Sequence, residues 1–135
     1  MKKLIIVILL VTVFASGASA QYTIGGTSGD FPTLYEAFDF INNGGINGNI
    51  VLHIIESTDE TYGTAILYEN GSNGGLCNYT SVTIYPTQAS CVITGDIDGP
   101  LIDLNGADNV VFDGRVNKTG SPDLVITNIS TGSNA

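Results

Sequence analysis

The sequence predicts an all-β fold with one capping helix, a β-solenoid of about three or four rungs, with a β-sandwich as the alternative. Three observations carry this expectation. One amphipathic segment near the N-terminus has helical spacing, and everything after it reads as short strands. From Ser81 onward most strand centres lie roughly ten residues apart with turn residues between them, which suits a sandwich, a barrel or a solenoid. The run Leu101–Arg115, L-I-D-L-N-G-A-D-N-V-V-F-D-G-R, sets two short apolar strands around a polar corner, as one rung would. The helix weighs between the architectures. A solenoid end exposes unpaired backbone and apolar rung edges, and a polar-faced helix can cover them. Asn105-Gly106 is nevertheless a hairpin signal and keeps the sandwich open.

Residues 1–20 read as a signal peptide. Lys2 and Lys3 precede an apolar run from Leu4 to Phe14, and Ala18-Ser19-Ala20 has the small-x-small form of a cleavage site. That run is too short for a typical transmembrane helix. The expected mature domain is 21–135. It keeps only Arg115 and Lys118 as basic residues against thirteen acidic ones, a formal charge of −11. Such a surface repels phosphate backbones, so nucleic acid is not an expected partner. It offers no polybasic patch to a membrane, so no stable insertion is expected after cleavage. The expected location is outside the cell, secreted or at the surface.

Taken in order, Gln21–Ile24 reads as a short strand and Gly25–Gly29 as a flexible loop. Thr33 and Glu36 match a capping box. Leu34, Ala37, Phe38 and Ile41 then form one apolar face, and Asn42-Asn43-Gly44-Gly45 ends the helix, which should run about 33–42. Ile50–Ile55 is nearly continuous apolar sequence, a strand covered on both faces or lying beneath the helix. Ala65–Tyr68 and Ser81–Tyr85 follow, separated by the Gly/Asn-rich loop Asn70–Gly75. Cys91–Thr94, Leu101–Leu104, Val110–Phe112 and Leu124–Ile129 complete the strands, with Val116–Asp123 as a longer loop. Within the rung, Leu104, Val110 and Phe112 should face in while Asp103 and Asp113 face out.

The stretch Tyr22–Ile54 resembles the N-terminal cap of exported right-handed parallel β-helix proteins of the pectin-lyase-like superfamily. Asp30-Phe31, Thr33, Glu36-Ala37, Gly44-Gly45 and Ile50–Ile54 carry the resemblance. Thr61-Tyr62-Gly63 sits where members often carry G-x-Y. Ser81–Pro86, Val92–Gly95 and Leu104–Gly114 resemble the next rungs, and Asn128 sits where such coils place a stacking asparagine. The resemblance covers most of the mature chain and implies a fold more strongly than an activity. Its members include pectate lyases, pectin esterases, other polysaccharide-acting enzymes and adhesin-like surface proteins. They run to many rungs, so the chain reads as the opening section of a longer protein or a truncated one.

The search for chemistry yields candidates rather than a constellation. Asp96, Asp98, Asp103 and Asp113 are the metal candidates, for calcium, because oxygen-rich clusters hold that ion. Asp96-x-Asp98-Gly99 lacks the rest of an EF-hand, and turn aspartates serve local hydrogen bonds equally well. No cofactor is required. His53, the sole histidine, has no serine, cysteine or carboxylate tied to it by sequence, and reads as a packed or edge residue. No catalytic residue is assigned. Arg115 and Lys118 are the only mature cations that could meet an acidic substrate. The esterase and polygalacturonase patterns are missing. Cys77 and Cys91 either form a disulfide or stay as buried thiols on neighbouring strands. Six tyrosines read as half-buried strand aromatics, with sugar stacking as the alternative. Four N-x-[ST] sites, at Asn70, Asn78, Asn117 and Asn128, would accept glycans in a eukaryotic secretory route. The expectation is a non-catalytic, adhesin-like scaffold whose lateral surface meets a polysaccharide, a cell-surface glycan or a partner protein. The alternative is the N-terminal part of a lyase, hydrolase or esterase whose active site lies on later rungs.

Overall fold

The computed structural model describes residues 18–135. The expected leader therefore lies almost wholly outside the described residues. Ala20, the last residue of the expected cleavage motif, opens the first strand.

The chain is mostly β, with one helix and three sheets of parallel strands. Its strands are β1 (Ala20–Ile24), β2 (Gly48–Ile54), β3 (Thr58–Asp59), β4 (Ala65–Tyr68), β5 (Tyr79–Pro86), β6 (Val92–Gly95), β7 (Ile102–Asn105), β8 (Val110–Phe112) and β9 (Val125–Asn128). The first sheet has the order β1-β2-β5-β8, the second β3-β6-β9, the third β4-β7. From β2 onward the chain visits first, second and third sheet in turn, and repeats the order through β9. Neighbours pair in parallel, with Leu52 beside Ile84, Ile84 beside Phe112, Leu67 beside Leu104 and Ile93 beside Ile126.

Strand alternation sets what lies inside. Ile50, Leu52 and Ile54 of β2 point inward and are buried, as are Val82 and Ile84 of β5, Ala65 and Leu67 of β4, and Ile93 of β6. In the last turn the same columns open. Leu104 is 43% exposed and Ile126 45%, although their register partners Leu67 and Ile93 are fully buried. Val110 and Phe112 pack against the core only in part.

The other end is closed by α1, Leu34–Asn42. Leu34, Ala37, Phe38 and Ile41 form its buried face, as the spacing predicts. The Thr33 hydroxyl accepts from the Glu36 N–H, so one half of the capping box is made. The helix ends with Gly44 in the left-handed region at φ 79°, and the Gly45 N–H donates to Phe40 O five residues back. α1 lies along β4, the edge of the third sheet. There the buried Asn42 amide donates to Ile66 O and accepts from the Tyr68 N–H, standing in for a neighbouring strand. Tyr22, Phe31 and Phe40 stack over the top, with ring centroids 5.7 and 5.4 Å apart.

Several expectations need correction. β2 lies between β1 and β5, not beneath the helix, and only its inward face is fully covered, since Val51 and His53 stay half-exposed. Asn105-Gly106 closes no hairpin, because β7 pairs with β4 and β8 with β5. β3 is a two-residue strand with no apolar signature, visible only through its pairing with β6. Cys77 and Cys91 are buried but free. Cys77 precedes β5 and Cys91 precedes β6, with the whole of β5 between them in the chain. Neither cysteine lies within a strand.

Candidate functional site

The alternation that buries Leu52 and Ile84 turns His53 and Tyr85 outward on the first sheet, side by side in register. Thr23 of β1 adjoins His53 on one side. Asp113, one residue past the end of β8, continues the column on the other. The Tyr85 hydroxyl and His53 Nε2 are hydrogen-bonded at 2.9 Å, with ring centroids 4.8 Å apart.

The loop after β8 brings the cations to the same place. Asn117 and Lys118 both adopt left-handed backbone, φ 50° and 60°, and the Lys118 N–H donates to Arg115 O at 3.0 Å. That turn holds the Lys118 ammonium 4.9 Å from the centre of the Tyr85 ring, a cation–π arrangement. Arg115 takes a different partner. Its Nε and a terminal nitrogen donate to the two Asp113 oxygens at 2.8 and 2.6 Å, and its backbone N–H adds a third bond at 3.0 Å. Lys118 thus has no carboxylate within ion-pair distance among the described residues.

These contacts shape the proton chemistry. Burial lowers the His53 pKa, and the Lys118 charge lowers it further, so the neutral imidazole is favoured. The Arg115 side-chain hydrogen bond, then its backbone N–H, holds Asp113 down at about 2. Both cations among residues 18–135 and the only histidine of the chain therefore meet on one sheet face, in a segment that carries thirteen acidic residues. The face offers one unpaired positive charge, an aromatic ring and a hydrogen-bonded imidazole. It can attract an anionic group and stack on a ring. The partner of His53 is a tyrosine hydroxyl rather than a serine, a cysteine or a carboxylate.

The calcium candidates do not converge. Asp96 and Asp98 lie exposed between β6 and β7, and Asp103 faces out on the third sheet. Asp98 Oδ1 accepts from the Asn134 N–H at 2.9 Å, and Asp113 is held by Arg115. Among the described residues no group of three or more acidic, histidine or cysteine side chains is placed to hold a metal.

Of the other candidates, Asn128 braces a corner, with Gly95 rather than a second asparagine as its register partner. Its amide donates to Ile97 O and Gly99 O and accepts from the Ile97 N–H. Tyr79 is buried and Tyr62 is 68% exposed, paired with Tyr35 at 6.0 Å between centroids.

Sequence reasoning missed Glu60. It is fully buried, and its carboxylate accepts from the Leu34 and Tyr35 N–H groups at 3.0 and 2.8 Å and from the Thr58 hydroxyl at 2.8 Å. It thus satisfies the first free amides of α1 from a distant loop. Glu60 stacks at a corner with Gly95 and Asn128, one residue past paired positions of β3, β6 and β9. No sequence signal marks it, since T-D-E-T reads as an exposed turn.

No family model, curated protein or solved structure matches this chain.

Proposed function

We propose that the chain is the N-terminal cap and opening coils of an exported right-handed parallel β-helix, acting as a non-catalytic scaffold that presents a lateral surface to glycans or partner proteins. The observation that carries this reading is the asymmetry of the two ends. α1, Asn42 and Glu60 close one end. At the other, Leu104 and Ile126 lie open although Leu67 and Ile93, one coil away in register, are fully buried. The surface that fits such an end is another coil of the same build, with parallel strands on three sides and apolar residues turned inward. The recurring order of the three sheets along the chain supports the same architecture.

On this reading the first sheet's outer face is the working surface, and the His53–Tyr85–Lys118 group is its centre. Lys118 favours a glycan that bears acidic groups. The alternative, the opening part of a polysaccharide-acting enzyme, shares the cap and the coils and differs only in what the chain does to the glycan.

The test exposes the purified protein to acidic and neutral polysaccharides and follows binding and bond cleavage together. Retention on an acidic polysaccharide, weakened by Lys118→Ala and without release of reducing or unsaturated ends, supports the scaffold. Cleavage that disappears with His53→Ala would establish the enzyme instead. Absence of any retention would remove the glycan-binding assignment.

A further inference from the structure

A concavity lies at the end of the first sheet opposite the His53 face. Asn70, Asn78, Tyr79, Thr80, Asp108 and Asn109 line a cavity of about 270 Å³. Tyr79 and Tyr85 stand at opposite ends of β5, about 20 Å apart at 3.3 Å per residue, so the cavity is separate from the His53 face.

Its walls are tied down by backbone. The Gly71 N–H donates to Cys77 O and the Cys77 N–H to Ser72 O, closing the 70–77 loop on itself. Asn73 Nδ2 pins that loop to Asn42 O at 3.2 Å. Across the cavity Asn109 holds a left-handed backbone, φ 55°, while its carbonyl accepts from the Val82 N–H at 3.1 Å. Tyr79 forms the floor, buried, with its hydroxyl donating to Tyr68 O at 2.9 Å.

The side chains above this frame are unengaged. The amides of Asn70, Asn78 and Asn109, the Thr80 hydroxyl and the Asp108 carboxylate have no hydrogen-bond partner among the described residues. Asn42, Asn73 and Asn128, by contrast, use their amides to brace the fold. Three amides, a hydroxyl and a carboxylate, all exposed to solvent around the buried Tyr79, form one set of donors and acceptors open to an external partner.

We propose that this cavity binds a neutral, hydroxyl-rich ligand, one unit of a saccharide. Amides donate to and accept from adjacent hydroxyls and a carboxylate accepts from them, which matches the pattern a sugar ring presents. No cation lines the cavity and Asp108 repels anions, so an acidic sugar is disfavoured. One carboxylate is too few for a tight calcium cage. The volume sits just below the usual small-molecule range of about 300–1,000 Å³, which suits a single ring rather than a chain. The site stands independently of any glycan binding at the His53 face.

The experiment titrates the ¹⁵N-labelled protein with glucose, galactose, mannose and N-acetylglucosamine, and separately with calcium and galacturonate. The expected result is saturable shifts at Thr80, Asp108 and Asn109 with at least one neutral sugar. Asn109→Gly, which keeps the left-handed backbone and deletes the amide, should weaken that binding about tenfold or more, as should Asp108→Ala. Lys118→Ala should leave it unchanged. The proposal is overturned if no neutral sugar shifts these residues, if only calcium or galacturonate does, or if both cavity variants bind as tightly as the parent.

Discussion

Glu60 should hold the cap together, and its substitution tests how α1 is fastened. The carboxylate is fully buried and accepts three hydrogen bonds, two from the first-turn amides of α1 and one from Thr58. Glu60→Gln preserves size but exchanges one acceptor for a donor. If its oxygen keeps Leu34 N–H and the Thr58 hydroxyl, its amide nitrogen faces Tyr35 N–H, donor against donor. A hydrogen bond to a charged group contributes about 1.5–3 kcal/mol. Losing the negative charge beside the helix N-terminus removes about 0.3–1 kcal/mol more. Glu60→Gln should therefore cost about 2–4 kcal/mol. Glu60→Ala, which strips all three bonds and leaves a void, should cost about 4 kcal/mol or more. Set against a total stability of roughly 5–15 kcal/mol, that would bring the cap close to unfolding. Urea unfolding followed by far-ultraviolet circular dichroism measures the loss, with an unchanged slope indicating an unchanged fold. Amide exchange at Leu34 and Tyr35 reports the site directly. A Gln variant within about 0.5 kcal/mol of the parent, with both amides still protected, would refute the reasoning.

Three further outcomes are expected. Leu67→Ala should cost about 2–5 kcal/mol and its register partner Leu104→Ala less than about 1.5 kcal/mol, since only the first is fully buried; equal losses in urea unfolding would contradict the open end. Asn42→Ala should cost about 2–3 kcal/mol by orphaning Ile66 O and the Tyr68 N–H, and exchange at Tyr68 should rise; continued protection there would argue against the strand-substitute role. The His53 pKa lies below its ordinary 6.5, so its contribution to stability is present above that value and is lost as pH falls from 6.5 through the folded pKa. Lys118→Ala should raise the His53 pKa in a proton-NMR titration, because the charge is removed while the burial remains; an unchanged or lower value would place Lys118 elsewhere.

The helix was legible because its signals are local: Thr33 as cap, four apolar residues at helical spacing, and a glycine in left-handed conformation after the end. The strands were legible for a similar reason, as apolar alternation between turn residues, and most lie within two residues of expectation. Their partners were not. The offset between paired residues runs from 28 (Val82 to Val110) to 37 (Ala65 to Ile102), so no fixed period survives in the sequence. That is why His53, Tyr85 and Lys118 read as unrelated residues until register placed them on one face. Glu60 was hidden for a further reason. A glutamate in a polar run looks solvated, and only the distant N-terminus of α1 makes its burial favourable.

Amide exchange along the last three strands tests the open end most directly. The N–H of Asp113 donates to Ile84 O, that of Ile129 to Gly95 O, and that of Glu69 to Asn105 O. Strand alternation then turns the amides of Val110 and Phe112 in β8, Ile126 in β9, and Ile102 and Leu104 in β7 towards the side without a neighbour. These five should exchange rapidly in the purified protein. Val111 and Asp113, which face β5, Thr127, which faces β6, and Asp103, which faces β4, should exchange slowly. Uniform protection across β7, β8 and β9, with no alternation between neighbouring residues, would contradict the account.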